Sequence, residues 1–181
     1  MMRAYADETA LMVIDFQTKL VPAMNKCTEF VHNSSILVQG MQELDIPVIM
    51  TQQYTRGLGE TIEEIADIEG MPDAFDKLSF SCVGEDDIYD ALDKLNVKNV
   101  VICGCEAHIC VLQTVIDLLS EAYNVYVVSD CVASRKESDK AAALIRAQQE
   151  GAFITTYEAI LFELLGRAGS EQFKAISKLI K

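Results

Sequence analysis

Short continuous apolar runs alternate along this chain with longer stretches in which apolar residues return at helical spacing. The runs are rich in β-branched residues and predict strands at Thr9 to Asp15, Pro47 to Gln52, Lys77 to Phe80, Val100 to Cys103, Val125 to Ser129 and Phe153 to Thr156. Between them, Phe30 to Leu44 carries Val31, Ile36, Val38, Met41 and Leu44 near helical period, and Asp86 to Leu95 places Ile88, Ala91, Leu92 and Leu95 on one face. Both helices are expected to pack on the sheet. Cys110 to Ala122 is apolar nearly all round, as a helix buried between a sheet and a neighbour would be. Glu137 to Gln149 reads as a helix ended near Gly151, and Tyr157 to Leu165 as one stopped by Gly166. In Ser170 to Lys181 the residues Phe173, Ile176, Leu179 and Ile180 form an amphipathic face that covers either the core edge or a partner subunit. Strands alternating with helices in this way are the mark of an α/β fold, with repeated βαβ units around a parallel sheet. The longest irregular region, Gln53 to Asp76, is punctuated by Arg56-Gly57-Leu58-Gly59 and Gly70-Met71-Pro72 and is a candidate pocket wall.

Composition narrows this picture. With 181 residues, half of them hydrophobic, the chain is expected to form one domain, residues 1–181, around one substantial core. A net charge of -13 argues against nucleic acid and anionic membranes as partners, since both require clustered Lys and Arg. Met1-Met2-Arg3 runs into Ala4-Tyr5-Ala6-Asp7-Glu8 without a signal-peptide pattern, and no apolar run approaches the ~20 residues that cross a bilayer. A cytoplasmic protein is the expectation. Six cysteines, at 27, 82, 103, 105, 110 and 131, lack the spacing of a disulfide framework and read as reduced, mostly buried thiols. A metal site on Cys103, Cys105 and Cys110 fails on geometry, because the first two share a face of a strand end while the third lies on a helix.

Ligands of open parallel sheets bind beyond the carboxyl ends of the strands. Asp15, Gln52, Cys103 and Asp130 fall at that edge, Lys77 lies in the short third strand, and Cys110 follows the fourth in Gly104-Cys105-Glu106-Ala107-His108-Ile109-Cys110-Val111. A lone Asp at a strand end is ordinarily a cap or a structural acceptor. Combined with a base and a thiol it becomes a candidate for chemistry, because attack on an amide needs a thiolate, a proton carrier and donors for the oxyanion. A helix N-terminus and a neighbouring ammonium are expected to lower the Cys110 pKa.

Asp15 in Val13-Ile14-Asp15-Phe16-Gln17, Lys77, and the segment Gly104 to Val111 together resemble the isochorismatase-like cysteine hydrolases. Thr51-Gln52-Gln53-Tyr54-Thr55-Arg56-Gly57-Leu58-Gly59 and Gln172-Phe173-Lys174 are similar to the short isochorismatase-domain-containing subgroup. The resemblance implies a three-layer αβα sandwich with a six-stranded, mostly parallel, Rossmann-like sheet, and an Asp-Lys-Cys triad at its carboxyl edge. On the matching positions, Asp15 takes the thiol proton and later activates water, Lys77 holds thiolate and carboxylate in register, and Cys110 attacks to form an acyl-enzyme. It further implies a cis peptide at Cys105-Glu106, an oxyanion hole from the backbone N–H groups of Glu106 and Cys110, and a homo-oligomer.

Metal-binding nicotinamidases of the superfamily carry Asp and His after the second strand. Met50 to Gly59 holds neither, and the only histidines are His32 and His108. No metal and no cofactor are therefore expected. His32 reads as a solvated helix residue, and His108 either lines the pocket or is structural. Phe16, Gln53 and Tyr54 are further pocket candidates, Phe16 and Tyr54 equally as packing residues, and Arg56 is placed to meet a substrate carboxylate. The expected activity is hydrolysis of a small amide or related carbonyl compound. The alternatives are vinyl-ether hydrolysis as in isochorismatases proper, a non-catalytic scaffold that keeps the fold, and thiol redox chemistry at Cys110 with Cys105 nearby.

Overall fold

Every residue of strand β1 (Thr9–Ile14) is buried, so this strand must be covered on both faces, and the sheet is built outward from it. The computed structural model describes residues 3–181; the Met1-Met2 start of the N-terminal reading lies outside them. β1 pairs in parallel with β2 (Val48–Gln53) on one side and β4 (Asn99–Cys105) on the other. β3 (Phe75–Lys77), β5 (Asn124–Ala133) and β6 (Phe153–Thr155) complete a six-stranded, all-parallel sheet in the order β3-β2-β1-β4-β5-β6.

Alternation along β1 assigns the two faces. Leu11 and Val13 join a core with α1 (Cys27–Glu43), α3 (Glu63–Ala66), α7 (Tyr157–Leu165) and α8 (Glu171–Leu179). Ala10, Met12 and Ile14 join the other core with α4 (Asp86–Lys94), α5 (Leu112–Ser120) and α6 (Glu137–Glu150). The result is the expected αβα sandwich. Each β-branched or aliphatic residue so buried contributes about 1.5–3 kcal/mol of transfer free energy. Helix ends follow local chemistry: Thr156 and Ser170 accept backbone N–H bonds at the starts of α7 and α8, while Gly151 and Gly166 take left-handed φ after α6 and α7. Ile176 of α8 is fully buried, and α8 packs against α1, so the C-terminal amphipathic face covers the core.

Several boundaries differ from expectation. The third strand is Phe75–Lys77, not Lys77 to Phe80, because the carbonyls of Ser79 and Phe80 leave the sheet to accept bonds from the Lys77 ammonium. β5 runs on past Ser129 to Ala133 because its register with β4 shifts between Ile102 and Gly104, which inserts extra residues around Ser129 and Asp130. The segment after β4 opens as a π-helical turn, Ala107–Val111, before α5 begins at Leu112. The long loop from Gln53 to Asp76 contains the short helices α2 (Thr55–Leu58) and α3, too brief for a periodic signal.

Candidate active site

Strand order reverses at β1 and β4, which opens a crevice at their carboxyl ends. The two strands approach there only because residue 104 is glycine: a Cβ at Gly104 (φ 131°) would stand 2.1 Å from the Ile14 carbonyl oxygen. Beyond it the Cys105–Glu106 peptide is cis, and across the crevice Asp15 holds a left-handed φ of 56°, uncommon for a residue with a side chain.

The Asp15 side chain is fully buried and both its oxygens are engaged. Oδ1 accepts from Thr51 Oγ1 at 3.0 Å, and Oδ2 accepts from Lys77 Nζ at 2.8 Å. Lys77 arrives from the end of β3, where it pairs in register with Gln53 of β2, and its side chain is equally dry. Its ammonium also reaches Gln53 Oε1 at 2.6 Å and the carbonyls of Phe80 and Ser79 at 3.2 and 3.4 Å. An ammonium has three N–H groups, so these acceptors use its whole donor capacity. Burial alone would push the Lys77 pKa down; the Asp15 carboxylate, joined by Cys110 and Cys82 once these ionise, outweighs it, and the net direction is up. Lys77 is therefore a fixed positive charge at neutral pH.

Cys110 lies in the π-helical turn and is 5% exposed, with Sγ 4.0 Å from Gln53 Oε1. Burial, and after it the Asp15 carboxylate, push this thiol up to about 12 against the opposing pull of Lys77. The expected lowering does not occur, because the desolvation and carboxylate effects exceed those of the ammonium. At rest Cys110 is a thiol with a carboxylate beside it. Thr114 of α5 donates to the Cys110 carbonyl at 2.7 Å and accepts from the Cys82 backbone at 3.0 Å, which ties the turn to the loop that follows Lys77.

The other candidates divide. Gln53 enters the cluster. Its Nε2 donates to the Leu78 carbonyl at 2.8 Å, while Gln17, itself fully buried, brackets its backbone through bonds of 2.8 and 2.9 Å. Tyr54 and Arg56 line an adjacent cavity of about 450 Å³ with Thr55, Asp76, Lys77, Leu78 and Glu85. Phe16 does not form a wall: it is fully buried and stacks on Phe30 at 4.7 Å, since the turn after Asp15 directs it into the α1 side of the core. His108 faces α6, with Nδ1 2.9 Å from Ser134 Oγ and Nε2 4.0 Å from Asp139. The Glu106 carboxylate accepts from the backbone and Nε of Arg135 at 3.2 and 2.9 Å. Thr51, Gln17, Cys82 and Thr114 join the site although almost nothing in the sequence marks them as site residues. The polar end of Val48-Ile49-Met50-Thr51-Gln52-Gln53 was the one available signal, for a buried strand that ends in three hydrogen-bonding side chains asks for partners. Among the described residues no group of three or more His, Cys, Asp or Glu side chains gathers as a metal site, and no helix is long and apolar enough to cross a membrane.

Comparison with known proteins adds descent to this geometry. The Isochorismatase domain model matches residues 9–159. A secreted isochorismatase effector, Isc1, of Phytophthora sojae is 39% identical over 99% of this chain and 87% of its own length. Isochorismatase domain-containing protein 2 of Danio rerio is 36% identical over 95% of this chain and 86% of its own. Among solved structures, the MAR1 ribonuclease of Caenorhabditis elegans superposes with a TM-score of 0.92 at 38% identity, covering 99% of this chain and 92% of that one.

Proposed function

The chain belongs to the isochorismatase family, and from that premise we propose that it is a metal-independent cysteine hydrolase acting on a small amide or related carbonyl compound through an acyl-Cys110 intermediate. The observation that carries this reading is the dry Asp15–Lys77 pair at 2.8 Å, set beside the Cys110 thiol through the shared contact with Gln53. Asp15 takes the Sγ proton as Sγ attacks the carbonyl carbon. Lys77 holds the developing negative charge near neutrality. Backbone N–H groups of Glu106 and Cys110 receive the oxyanion. Asp15 then returns its proton to the departing nitrogen, leaving a thioester on Cys110 and free amine. In the second half Asp15 deprotonates a water that attacks the thioester, and release of the acid regenerates the thiol. A resting thiol with an elevated pKa supports Asp15 as the base, in preference to a standing thiolate.

The absence of His and Asp from residues 50–59 supports the metal-independent form. Ribonuclease is a description of the nematode relative. A net charge of -13 gives a phosphate backbone little to bind, and supports a small-molecule substrate here. Secretion is likewise a description of the oomycete relative, and six unpaired cysteines support the cytoplasm as the location of this chain. Self-association is part of the proposal, supported by exposed Tyr54, Leu78 and Phe80 on neighbouring segments beside the cavity, and native mass spectrometry measures it.

The deciding experiment incubates the purified protein with a panel of small amides and follows ammonia release and intact mass, with Cys110→Ala and Lys77→Ala in parallel. Release that requires both residues, with an acyl adduct on Cys110, is the expected result. Silence across the panel, together with indifference of Cys110 to thiol-selective electrophiles, would overturn it.

A further inference from the structure

Gln53 has a side-chain orientation that can be assigned from its partners. Its Nε2 donates to the Leu78 carbonyl at 2.8 Å and its Oε1 accepts from Lys77 Nζ at 2.6 Å; reversing the amide would set donor against donor and acceptor against acceptor. The backbone on which it stands is clamped by the buried Gln17. A carbonyl oxygen has two lone pairs, and Lys77 occupies one. The other faces Cys110 Sγ at 4.0 Å, where the S–H is a weak donor.

With the S–H turned to Asp15 for the proton transfer, this lone pair has no donor. It would then stand unpaired in a nearly closed site, a costly position for a polar atom. Lys77 cannot relieve it, because its N–H groups are already committed to Asp15, Gln53 and the carbonyls of Ser79 and Phe80. Relief has to come from the substrate. An atom bonded to the carbon that Sγ attacks can stand beside the 4.0 Å separation of Sγ and Oε1, within hydrogen-bond range, about 2.9 Å, of Oε1. If that atom is nitrogen it brings an N–H to the waiting lone pair. If it is an ester oxygen, it brings lone pairs against a lone pair.

We propose that Gln53 is a specificity-determining residue: its Oε1 accepts a hydrogen bond from the leaving nitrogen during attack by Cys110 and so selects amides over esters of the same acyl group. This inference rests on the acyl-Cys110 reading above and sharpens it from carbonyl compounds in general to those with an N–H on the leaving atom. The donor requirement includes primary and secondary amides and excludes tertiary amides.

The test compares kcat/KM for matched primary amides and methyl esters, with acyl-Cys110 followed by intact mass, in the wild type, Gln53→Met and Gln53→Glu. Methionine keeps the volume and removes the acceptor; glutamate keeps acceptor oxygens next to Lys77 and removes the donor to Leu78. The expected result is a fall of roughly tenfold or more in the amide-to-ester ratio for Gln53→Met, and a ratio near wild type for Gln53→Glu. Equal loss on both substrate series, with acyl-Cys110 still forming, would overturn the inference alone and leave Gln53 a support for Lys77. Failure of the wild type to form acyl-Cys110 from either series would remove the hydrolase reading and this inference with it.

Discussion

Two acid–base pairs stand at the carboxyl edge of the sheet with almost the same geometry and opposite surroundings. Asp15 and Lys77 meet at 2.8 Å with both side chains wholly buried; Glu106 and Arg135 meet at 2.9 Å with the arginine 60% exposed. Separation therefore says little about what a pair does. In the first, water is excluded, so each charge depends on the other and on Thr51, Gln53 and the loop carbonyls for all the polar contact it has. The field between them is strong and acts on Cys110. In the second, solvent screens the guanidinium, and Glu106 keeps a backbone N–H from residue 135 whatever that side chain does. Burial and the number of fixed partners separate a pair suited to chemistry from one that tethers a strand end.

Halving the buried pair has the largest expected effect. Lys77→Ala leaves an uncompensated carboxylate in a dry site and is expected to cost about 3–5 kcal/mol in urea unfolding, whereas Asp15→Leu/Lys77→Met costs less than the sum of its single changes. Equal and additive losses would mean that the two charges do not depend on one another.

Alkaline pH tests the same cluster more gently. Burial raises Cys82 from 9.0 to about 11 and Cys110 from 9.0 to about 12, so above pH 9 the unfolded thiols release protons that the folded chain retains. The folded state then binds more protons than the unfolded one, and stability falls as pH rises. It is complete below pH 9 and declines from there to about pH 11 by about 1.4 kcal/mol per pH unit for each thiol. The raised Lys77 adds a loss of the same sign above the ordinary lysine value of 10.5. Cys103, Cys105 and Cys131, raised by burial in the same direction, add to the decline, so Cys110→Ala should reduce its slope by one thiol's share, about 1.4 kcal/mol per pH unit; an unchanged slope would mean that Cys110 does not titrate there.

The exposed pair gives the smallest effect. Arg135→Ala should leave the urea midpoint close to wild type, with any difference vanishing at high salt, while the Lys77→Ala loss persists there. A large salt-insensitive loss at Arg135 would show that Glu106 needs the guanidinium and would erase the contrast between the pairs.

Legibility in the sequence followed the same division between local pattern and distant contact. The helix Tyr157–Leu165 and its stop at Gly166 were readable because a C-terminal glycine acts within a few residues. Asp15, Lys77 and Cys110 were readable as candidates because each sits at or just past the end of an apolar run. The partners Thr51, Gln17 and Thr114 were not. Their contacts to Asp15, Gln53 and Cys110 include bonds across 36 residues of chain, and a buried threonine or glutamine looks like any other until its neighbour is known. Phe16 misled because an aromatic beside a candidate acid serves a pocket and a core equally well, and only the left-handed turn at Asp15 decides between them.

From its own pattern the sequence determined the α/β class, the order of its strands and helices, and the three chemically distinct residues at strand ends. Hydrophobic periodicity and turn residues act locally, and each segment carries them wherever it lies. Tertiary structure alone decided which side chains lose water together. It buried Asp15 with Lys77, raised the Cys110 thiol, left Arg135 in solvent and turned the Gln53 oxygen toward sulfur. Desolvation and charge pairing depend on the distance between groups far apart in the chain, and that distance exists only once the sheet has assembled.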